Sequence, residues 1–235
     1  TSAEVFTGKK QVRALRDVLK YDGLYPNINL VTVLANNHDT DRFMSLPGAT
    51  KEGAKLHIAF ILATRGIPQL YAGEEILMEG GHEPDNRRDF PGGFPGDLKD
   101  KFTKTGRTSD EQEMFEWMRR WIATRKKNAA MREGKTIDVF YNENIYAFRR
   151  VSGENDILFI FNSSDKEQTL SFDRKAINAT DKFCYFEVLV NIRTGLPDGG
   201  RCPDAGSDKI EFTIEGKSVI AVEFGNLTSS PVKQK

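Results

Sequence analysis

The sequence predicts an α/β part followed by an all-β part that folds as an antiparallel β-sandwich. Three observations support this prediction. Residues 1–129 alternate helical apolar spacing with short apolar runs, which is the rhythm of a βα-repeat fold. Hydrogen-bonding residues follow directly after the first apolar run. From about residue 130, short runs separated by turn residues replace the helical spacing, as in antiparallel sheets.

The composition excludes several classes of protein. The 34 Lys and Arg balance the 34 Asp and Glu, which argues against nucleic acid or a charged membrane as an electrostatic partner. Sixteen Phe and an ample apolar content supply a core, so the chain is not disordered. No apolar stretch approaches the length of a membrane span. The chain begins with Thr1 and shows no signal peptide, and we expect it to be a piece of a longer protein.

The α/β part begins with a segment, residues 1–6, that has no clear pattern and is expected to be irregular. Apolar residues at helical spacing, with Lys and Arg between them, predict an amphipathic helix over residues 8–22. The continuous apolar run at 30–35 is too short to span a membrane. It predicts a strand that is buried on both faces, as in a parallel sheet.

A second helix and a second strand follow. Thr50, with an acidic residue close behind it, marks the start of a helix over residues 50–65, and Gly66 ends it. A short strand is predicted at 67–71. Residues 73–109 are rich in Gly, Pro, Asp and Arg, and loops this long in compact domains are either functional or disordered. The aromatic residues and mixed charges of this segment favour a functional loop.

The last predicted helix covers residues 109–127, with Ser109 and Gln112 as its capping box. The strands of the sandwich are predicted at 145–151, 156–161, 168–172, 186–190, 209–214 and 218–224. We therefore assign residues 1–129 to the α/β part, residues 130–226 to the sandwich and residues 227–235 to a loose tail.

The candidate site is the sequence Asn-Asn-His-Asp at residues 36–39, directly after the first apolar run. The carboxyl ends of parallel strands are where α/β barrels keep their active sites. The alternative is a cluster of caps and turns that only closes the strand.

Motifs in this part of the chain resemble the alpha-amylase superfamily of glycoside hydrolases. Residues 36–39 are similar to the fourth short conserved region of that family, and residues 66–75 look like its eighth barrel strand and the turn after it. Residues 83–93 resemble a loop of the neopullulanase and cyclomaltodextrinase-type members. The combination at this spacing is specific, whereas Asn-His-Asp alone would be weak.

The resemblance implies the last two βα units of a (β/α)8 TIM barrel, followed by the C-terminal sandwich. It implies part of a retaining alpha-glucan hydrolase that cleaves starch-derived oligosaccharides. The family's nucleophile Asp, in a Gly-Phe-Arg-x-Asp-like segment on the fourth strand, and its acid/base Glu on the fifth are absent. We therefore expect this chain alone to be inactive. Breakdown of glucans favours a periplasmic or extracellular location over a cytoplasmic one.

The resemblance also implies roles for individual residues. Asp39 matches the carboxylate that stabilises the transition state, and an ionised carboxylate suits this role because it only accepts hydrogen bonds. His38 and Asn37 are implied in binding the same sugar. Glu83 and Arg87 match an acid and an Arg that hold sugars further from the cleaved bond, although the family usually has Asp at the first position. The alternative for Glu83 and Arg87 is a solvated salt bridge that contributes little.

Other residues carry weaker expectations. Tyr71 and Glu74 are expected to brace the strand end, and His57, among apolar helix neighbours, to be structural. Cys184 and Cys202 form either a disulfide or two buried thiols, and both possibilities stay open. We expect no cofactor and no metal, because the acidic residues of the long loop lack the ligand spacing of an EF-hand.

The expected partners are alpha-glucan oligosaccharides, with no nucleic acid and no membrane. A two-strand slice of a barrel leaves open strand edges, so self-association of the truncated barrel is also expected. Two alternative functions stay open. One is a non-catalytic carbohydrate-binding or scaffold protein, because a fold does not guarantee a function. The other is a transglycosylase.

Overall fold

The computed structural model describes residues 1–179, 183–187 and 207–226. The helices are α1 Ser2–Phe6, α2 Arg13–Leu19, α3 Lys51–Ala63, α4 Ser109–Lys127 and α5 Ala129–Glu133. The strands are β1 Thr32–Leu34, β2 Ile67–Gln69, β3 Lys135–Tyr141, β4 Ile145–Ser152, β5 Asn155–Asn162, β6 Gln168–Asp173, β7 Phe183–Glu187, β8 Lys209–Ile214 and β9 Ser218–Asn226. Within these ranges, none of the helices combines the length and apolarity needed to cross a membrane.

β1, α3 and β2 form a parallel β–α–β unit. Val33 of β1 lies opposite Pro68 of β2, and α3 makes the crossover that a parallel pair requires. The helix begins after Thr50, whose hydroxyl accepts a hydrogen bond from the Gly53 amide. Gly66 makes the turn into β2 at φ +90°, where a Cβ would lie 2.4 Å from the Val31 carbonyl oxygen, so only glycine fits there.

The prediction that the first strand is buried on both faces is wrong for this chain. Leu30 and Leu34 are 69% and 42% exposed. In the described residues β1 and β2 form a two-stranded sheet of their own. Among the described residues β1 therefore has a single neighbouring strand, and its apolar side chains remain exposed to solvent.

The irregular entry predicted for residues 1–6 is also wrong, because Ser2–Phe6 is helical. Phe6 is 1% exposed, and its ring packs against Phe60 and Phe161. A helix of this length is too short to show a hydrophobic period, so tertiary packing holds it. The helix predicted over 8–22 is shorter and runs from Arg13 to Leu19, and Gly8, at φ +81°, lies outside it.

The start of α4 differs from the prediction by one residue. Thr108, and not Ser109, is the N-cap, and its hydroxyl accepts from the Glu111 amide. The Glu111 carboxylate accepts from the Thr108 amide at 2.7 Å, which completes the capping box. The side chain of Gln112 instead accepts a hydrogen bond from Arg107.

The all-β part contains a five-stranded antiparallel sheet in the order β3-β4-β5-β9-β7 and a separate β6-β8 pair. α5 and β3 were not predicted. β3 shows no clean alternation because its register shifts between Asp138 and Phe140. The predicted strand at 186–190 begins earlier, at Phe183, and its residues 188–190 lie outside the described residues, as does the tail at 227–235.

Two hydrophobic cores flank the five-stranded sheet. Alternate residues of β4 and β5 face opposite sides, which follows from the period of two in a strand. One set packs with the helices and comprises Tyr146, Phe148, Ile157, Phe159 and Phe161. The other set packs with β6 and β8 and comprises Ile145, Ala147, Leu158 and Ile160. The first core is thus continuous across residue 130. At that residue the chain changes from mostly helices to mostly strands.

Candidate functional site

The chain turns sharply at the carboxyl end of β1. The side-chain oxygen of Asn37 accepts a hydrogen bond from the Asp39 amide at 3.0 Å, as in an Asx-turn. This turn leaves the side chains of His38 and Asp39 61% and 62% exposed, with His38 Nε2 3.2 Å from Asp39 Oδ1. The imidazole and the carboxylate therefore form a pair that faces solvent.

A second loop, which follows β2, brings Arg87 to this pair. Arg87 Nη2 lies 3.5 Å from Asp39 Oδ1, and its Nε donates to the His38 carbonyl oxygen at 3.1 Å. Its Nη1 lies 2.9 Å from Glu83 Oε1. The structure thus brings His38, Asp39, Glu83 and Arg87 together. Asn37 lies in the same turn, but its amide bonds within the turn itself.

The residue that joins the two loops was missed by sequence reasoning. Asn86 is 1% exposed. Its Nδ2 donates to the carbonyl oxygens of His38, at 2.8 Å, and Thr40, at 3.0 Å. Its partners are backbone atoms more than 40 residues away in sequence. No side-chain pattern could have indicated them.

Arg42 also joins the two loops, through hydrogen bonds to backbone carbonyl oxygens. Its side chain is buried, its Nε donates to the Asn86 carbonyl oxygen at 3.1 Å, and its Nη1 donates to the Ala72 carbonyl oxygen at 2.7 Å. Its guanidinium also lies 4.3 Å over the ring of Tyr71, a favourable cation–π contact. Gly73 allows this approach, since a Cβ there would lie 2.9 Å from Arg42 Nη1.

Glu74 is a buried carboxyl group that bonds to Asn36, next to the candidate site. It is 5% exposed and accepts a hydrogen bond from Asn36 Nδ2 at 2.7 Å. Burial raises the pKa of Glu74 to about 7, against the opposing effects of the Asn36 hydrogen bond and the Arg42 charge. The carboxyl group of Glu74 therefore lies inside the protein, joined through Asn36 to the turn after β1.

His57 supports the end of β1 from α3. It is 1% exposed, its Nε2 lies 3.1 Å from the Ala35 carbonyl oxygen, and its ring stacks on Phe43 at 5.1 Å. Burial lowers the pKa of His57 to about 4. The imidazole is therefore neutral near pH 7.

Two cavities lie away from the candidate site. One, of about 450 Å³, lies between the segment before β1 and strands β3 and β4, with Asp22, Arg65 and Arg150 among its lining residues. The other, of about 550 Å³, lies between the end of β2 and α4. Neither is lined by His38 or Asp39. The His38–Asp39 pair is therefore part of neither cavity.

The described residues hold no group of three or more His, Cys, Asp or Glu that is placed to bind a metal ion. The side chain of Cys184 and the whole of Cys202 lie outside the described part of the chain. The two alternatives for this pair, a disulfide or two buried thiols, therefore stay predictions.

Comparison with known proteins relates the chain to one family. The alpha-amylase family, described as "Alpha amylase, catalytic domain", matches residues 8–128. A cyclomaltodextrin glucanotransferase of Bacillus sp. (strain 1-1) is 25% identical over 202 residues, which cover 86% of this chain and 23% of that protein. A cyclomaltodextrinase of Thermoanaerobacter pseudethanolicus is 26% identical over 137 residues, or 58% of this chain and 22% of that protein.

Solved structures show the same fold. The alpha-amylase from Geobacillus thermoleovorans complexed with acarbose superposes with a TM-score of 0.75 at 18% identity, over 92% of this chain and 44% of that one. An Anoxybacillus alpha-amylase gives a TM-score of 0.76 at 18% identity, over 97% of this chain and 46% of that one. The chain thus spans less than half of these structures and about a quarter of the curated relatives.

Proposed function

This chain belongs to the alpha-amylase family, and from that premise we propose that it is the carboxyl-terminal part of an enzyme acting on alpha-glucans. Residues 1–129 would supply the last two βα units of a (β/α)8 barrel, and residues 130–226 its C-terminal sandwich. The parallel β1–α3–β2 unit supports this assignment. The missing units would lie in a longer protein, since the chain spans only part of its relatives.

In this proposal Asp39 stabilises the transition state of glycosidic cleavage. The observation that carries it is the exposed His38–Asp39 pair at the carboxyl end of a parallel strand, within reach of Arg87. Retaining cleavage passes through an oxocarbenium-like state between a nucleophile and a general acid. An ionised Asp39 accepts hydrogen bonds from neighbouring sugar hydroxyls. Such charge-assisted bonds are about twice as strong as neutral ones.

The remaining site residues bind sugar. His38 bonds hydroxyls of the same ring, and Asn37 fixes the turn that presents both side chains. Arg87 offers forked donors to hydroxyls of a sugar further from the cleaved bond. Glu83 holds the Arg87 guanidinium through a 2.9 Å ion pair, which fixes the direction of those donors.

A second candidate reaction is transglycosylation. Several relatives are named cyclomaltodextrin glucanotransferase, whereas others are named cyclomaltodextrinase or alpha-amylase. Both reactions use the same site residues. Product analysis on maltooligosaccharides distinguishes them, because hydrolysis yields only shorter chains and transfer also yields longer or cyclic ones.

The proposal is tested in the longer protein that contains this chain. Asp39→Ala should lower kcat on maltooligosaccharides by about 100-fold or more, by analogy with the loss of one preorganised stabilising group. Asp89→Ala, which removes an exposed carboxylate from the neighbouring loop, is the matched control and should retain activity. Wild-type turnover in Asp39→Ala would refute the role. This chain alone should release no reducing sugar.

A further inference from the structure

We propose that Asn86 is a positioning residue that fixes Asp39 relative to Arg87 by clamping the loop after β1 onto the loop after β2. This inference rests on the function proposed above for Asp39. Asn86 belongs to the loop after β2 and is 1% exposed, so its side chain is not accessible to substrate.

The clamp is formed by one amide that donates twice. Asn86 Nδ2 reaches the carbonyl oxygens of His38 and Thr40, at 2.8 and 3.0 Å, which are the residues on either side of Asp39. Both bonds cross from one loop to the other. The backbone of Asn86 is itself fixed, because its carbonyl oxygen accepts from Arg42 Nε at 3.1 Å.

The other end of the amide shows which way round the side chain lies. Asn86 Oδ1 is buried and has no hydrogen-bond partner among the described residues, which is a destabilising arrangement. Turning the amide over would be worse, because Oδ1 would then face the carbonyl oxygens of His38 and Thr40. The two donated bonds thus define the orientation of the side chain, and they compensate for the unpaired oxygen.

Asp39 depends on this clamp because, among the described residues, its exposed carboxylate contacts only side chains of its own turn and Arg87. The carboxylate is 62% exposed, and its neighbours are the equally solvent-facing His38, the half-exposed Arg87 and the Asn37 amide, whose Nδ2 donates at 3.5 Å from the same turn. Its position is therefore set through the backbone. The His38 carbonyl oxygen, directly before Asp39, accepts from both Asn86 Nδ2 and Arg87 Nε. Releasing the clamp would let Asp39 shift, and a displacement of about 1 Å near the chemistry costs on the order of 100-fold in rate.

The test compares variants of Asn86 with Arg88→Ala in the longer protein. Within the described residues Arg88 bonds inside its own loop, to the carbonyl oxygens of Asp85 and Glu79 and to the Asp85 carboxylate, so its loss should change kcat by less than about threefold. Asn86→Ala should lower kcat by roughly 10- to 100-fold. The isosteric Asn86→Asp should lower kcat at least as much, because a carboxylate oxygen would face two carbonyl oxygens.

A double-mutant cycle separates positioning from a general loss of folded enzyme. In the Asp39→Ala background, Asn86→Ala should cause no further fall in kcat, because its effect acts through Asp39. An equal fall in both backgrounds, wild-type kcat in a folded Asn86→Ala, or failure of both Asn86 variants to fold would overturn the clamp. Full activity of Asp39→Ala alone would instead refute the proposed function.

Discussion

Arg87 lies 3.5 Å from Asp39, Nη2 to Oδ1, although the two residues come from loops that follow different strands. The same guanidinium lies 2.9 Å from Glu83 and donates to the His38 backbone. Arg87 therefore connects the residue proposed for the transition state with the loop proposed to hold more distant sugars.

Arg87→Lys in the longer protein should raise KM for maltooligosaccharides by about 3- to 10-fold while changing kcat less. A lysine ammonium is a point charge and cannot replace the planar fork that serves Glu83, Asp39 and the His38 carbonyl together. Steady-state kinetics measures the change, and the exposed Arg88→Lys is the control. An unchanged KM would assign the Arg87 contacts to a surface salt bridge.

Glu74→Gln should alter the pH dependence of stability. The pKa of Glu74 is about 7 in the folded chain against an ordinary value of 4.5, so the folded state binds more protons than the unfolded state between these values. The free energy of unfolding therefore falls as pH rises from about 4.5 to 7 and stays lower above it. Gln retains an acceptor for Asn36 and removes this titration.

We expect Glu74→Gln to raise the free energy of unfolding at pH 8 by on the order of 1–3 kcal/mol and to leave it unchanged near pH 4.5. Urea denaturation at the two pH values measures this difference. Glu79→Gln, at an exposed position of the same loop, should show no such dependence on pH. An equal gain at both pH values would contradict the role of burial.

Thr108→Ala should lower the free energy of unfolding by about 1 kcal/mol, the usual effect of losing an N-cap. The Thr108 hydroxyl accepts from the Glu111 amide at the start of α4. Ser109→Ala is the matched control and should be close to neutral, because Ser109 is the first helical residue and not the cap. A larger fall in the free energy of unfolding for Ser109→Ala than for Thr108→Ala would instead identify Ser109 as the N-cap.

Local signals predicted the start of α3 but not that of α4. Thr50 is followed by an acidic residue and then a continuous apolar face, so one N-cap is favoured. At α4 Thr108 and Ser109 are adjacent, and both have a Glu or Gln three residues on. Sequence pattern cannot choose between them. In the structure the Gln112 side chain accepts from Arg107 at 2.9 Å, a contact between side chains that a capping pattern does not include.

The candidate site shows the same division. His38 and Asp39 were predicted because a strand signal ends in side chains with evident chemistry. Asn86 and Arg42 were not, because they act on carbonyl oxygens of the other loop. The predicted burial of β1 failed for a third reason. A buried strand needs neighbours on both sides, and among the described residues β1 pairs only with β2.

Self-association of this chain is predicted from the uncovered face of β1 and β2. Leu34 of β1 and Ile67 of β2 are 42% and 51% exposed, and Leu30, in the turn before β1, is 69% exposed. Open strand edges promote pairing between chains. Light scattering should detect oligomers, and Leu34→Lys should reduce them. Leu98→Lys, at an apolar position 99% exposed on the long loop, should not. A monodisperse monomer of the unmodified chain would contradict this prediction.

The most direct measurement is a crystal structure of the longer protein with acarbose. We predict that a His38 ring nitrogen and an Asp39 carboxylate oxygen each lie about 3 Å from hydroxyls of one sugar ring, with Arg87 nearest to a different ring. Acarbose bound elsewhere, with His38 and Asp39 facing solvent beyond hydrogen-bond distance of any sugar oxygen, would contradict the proposed site.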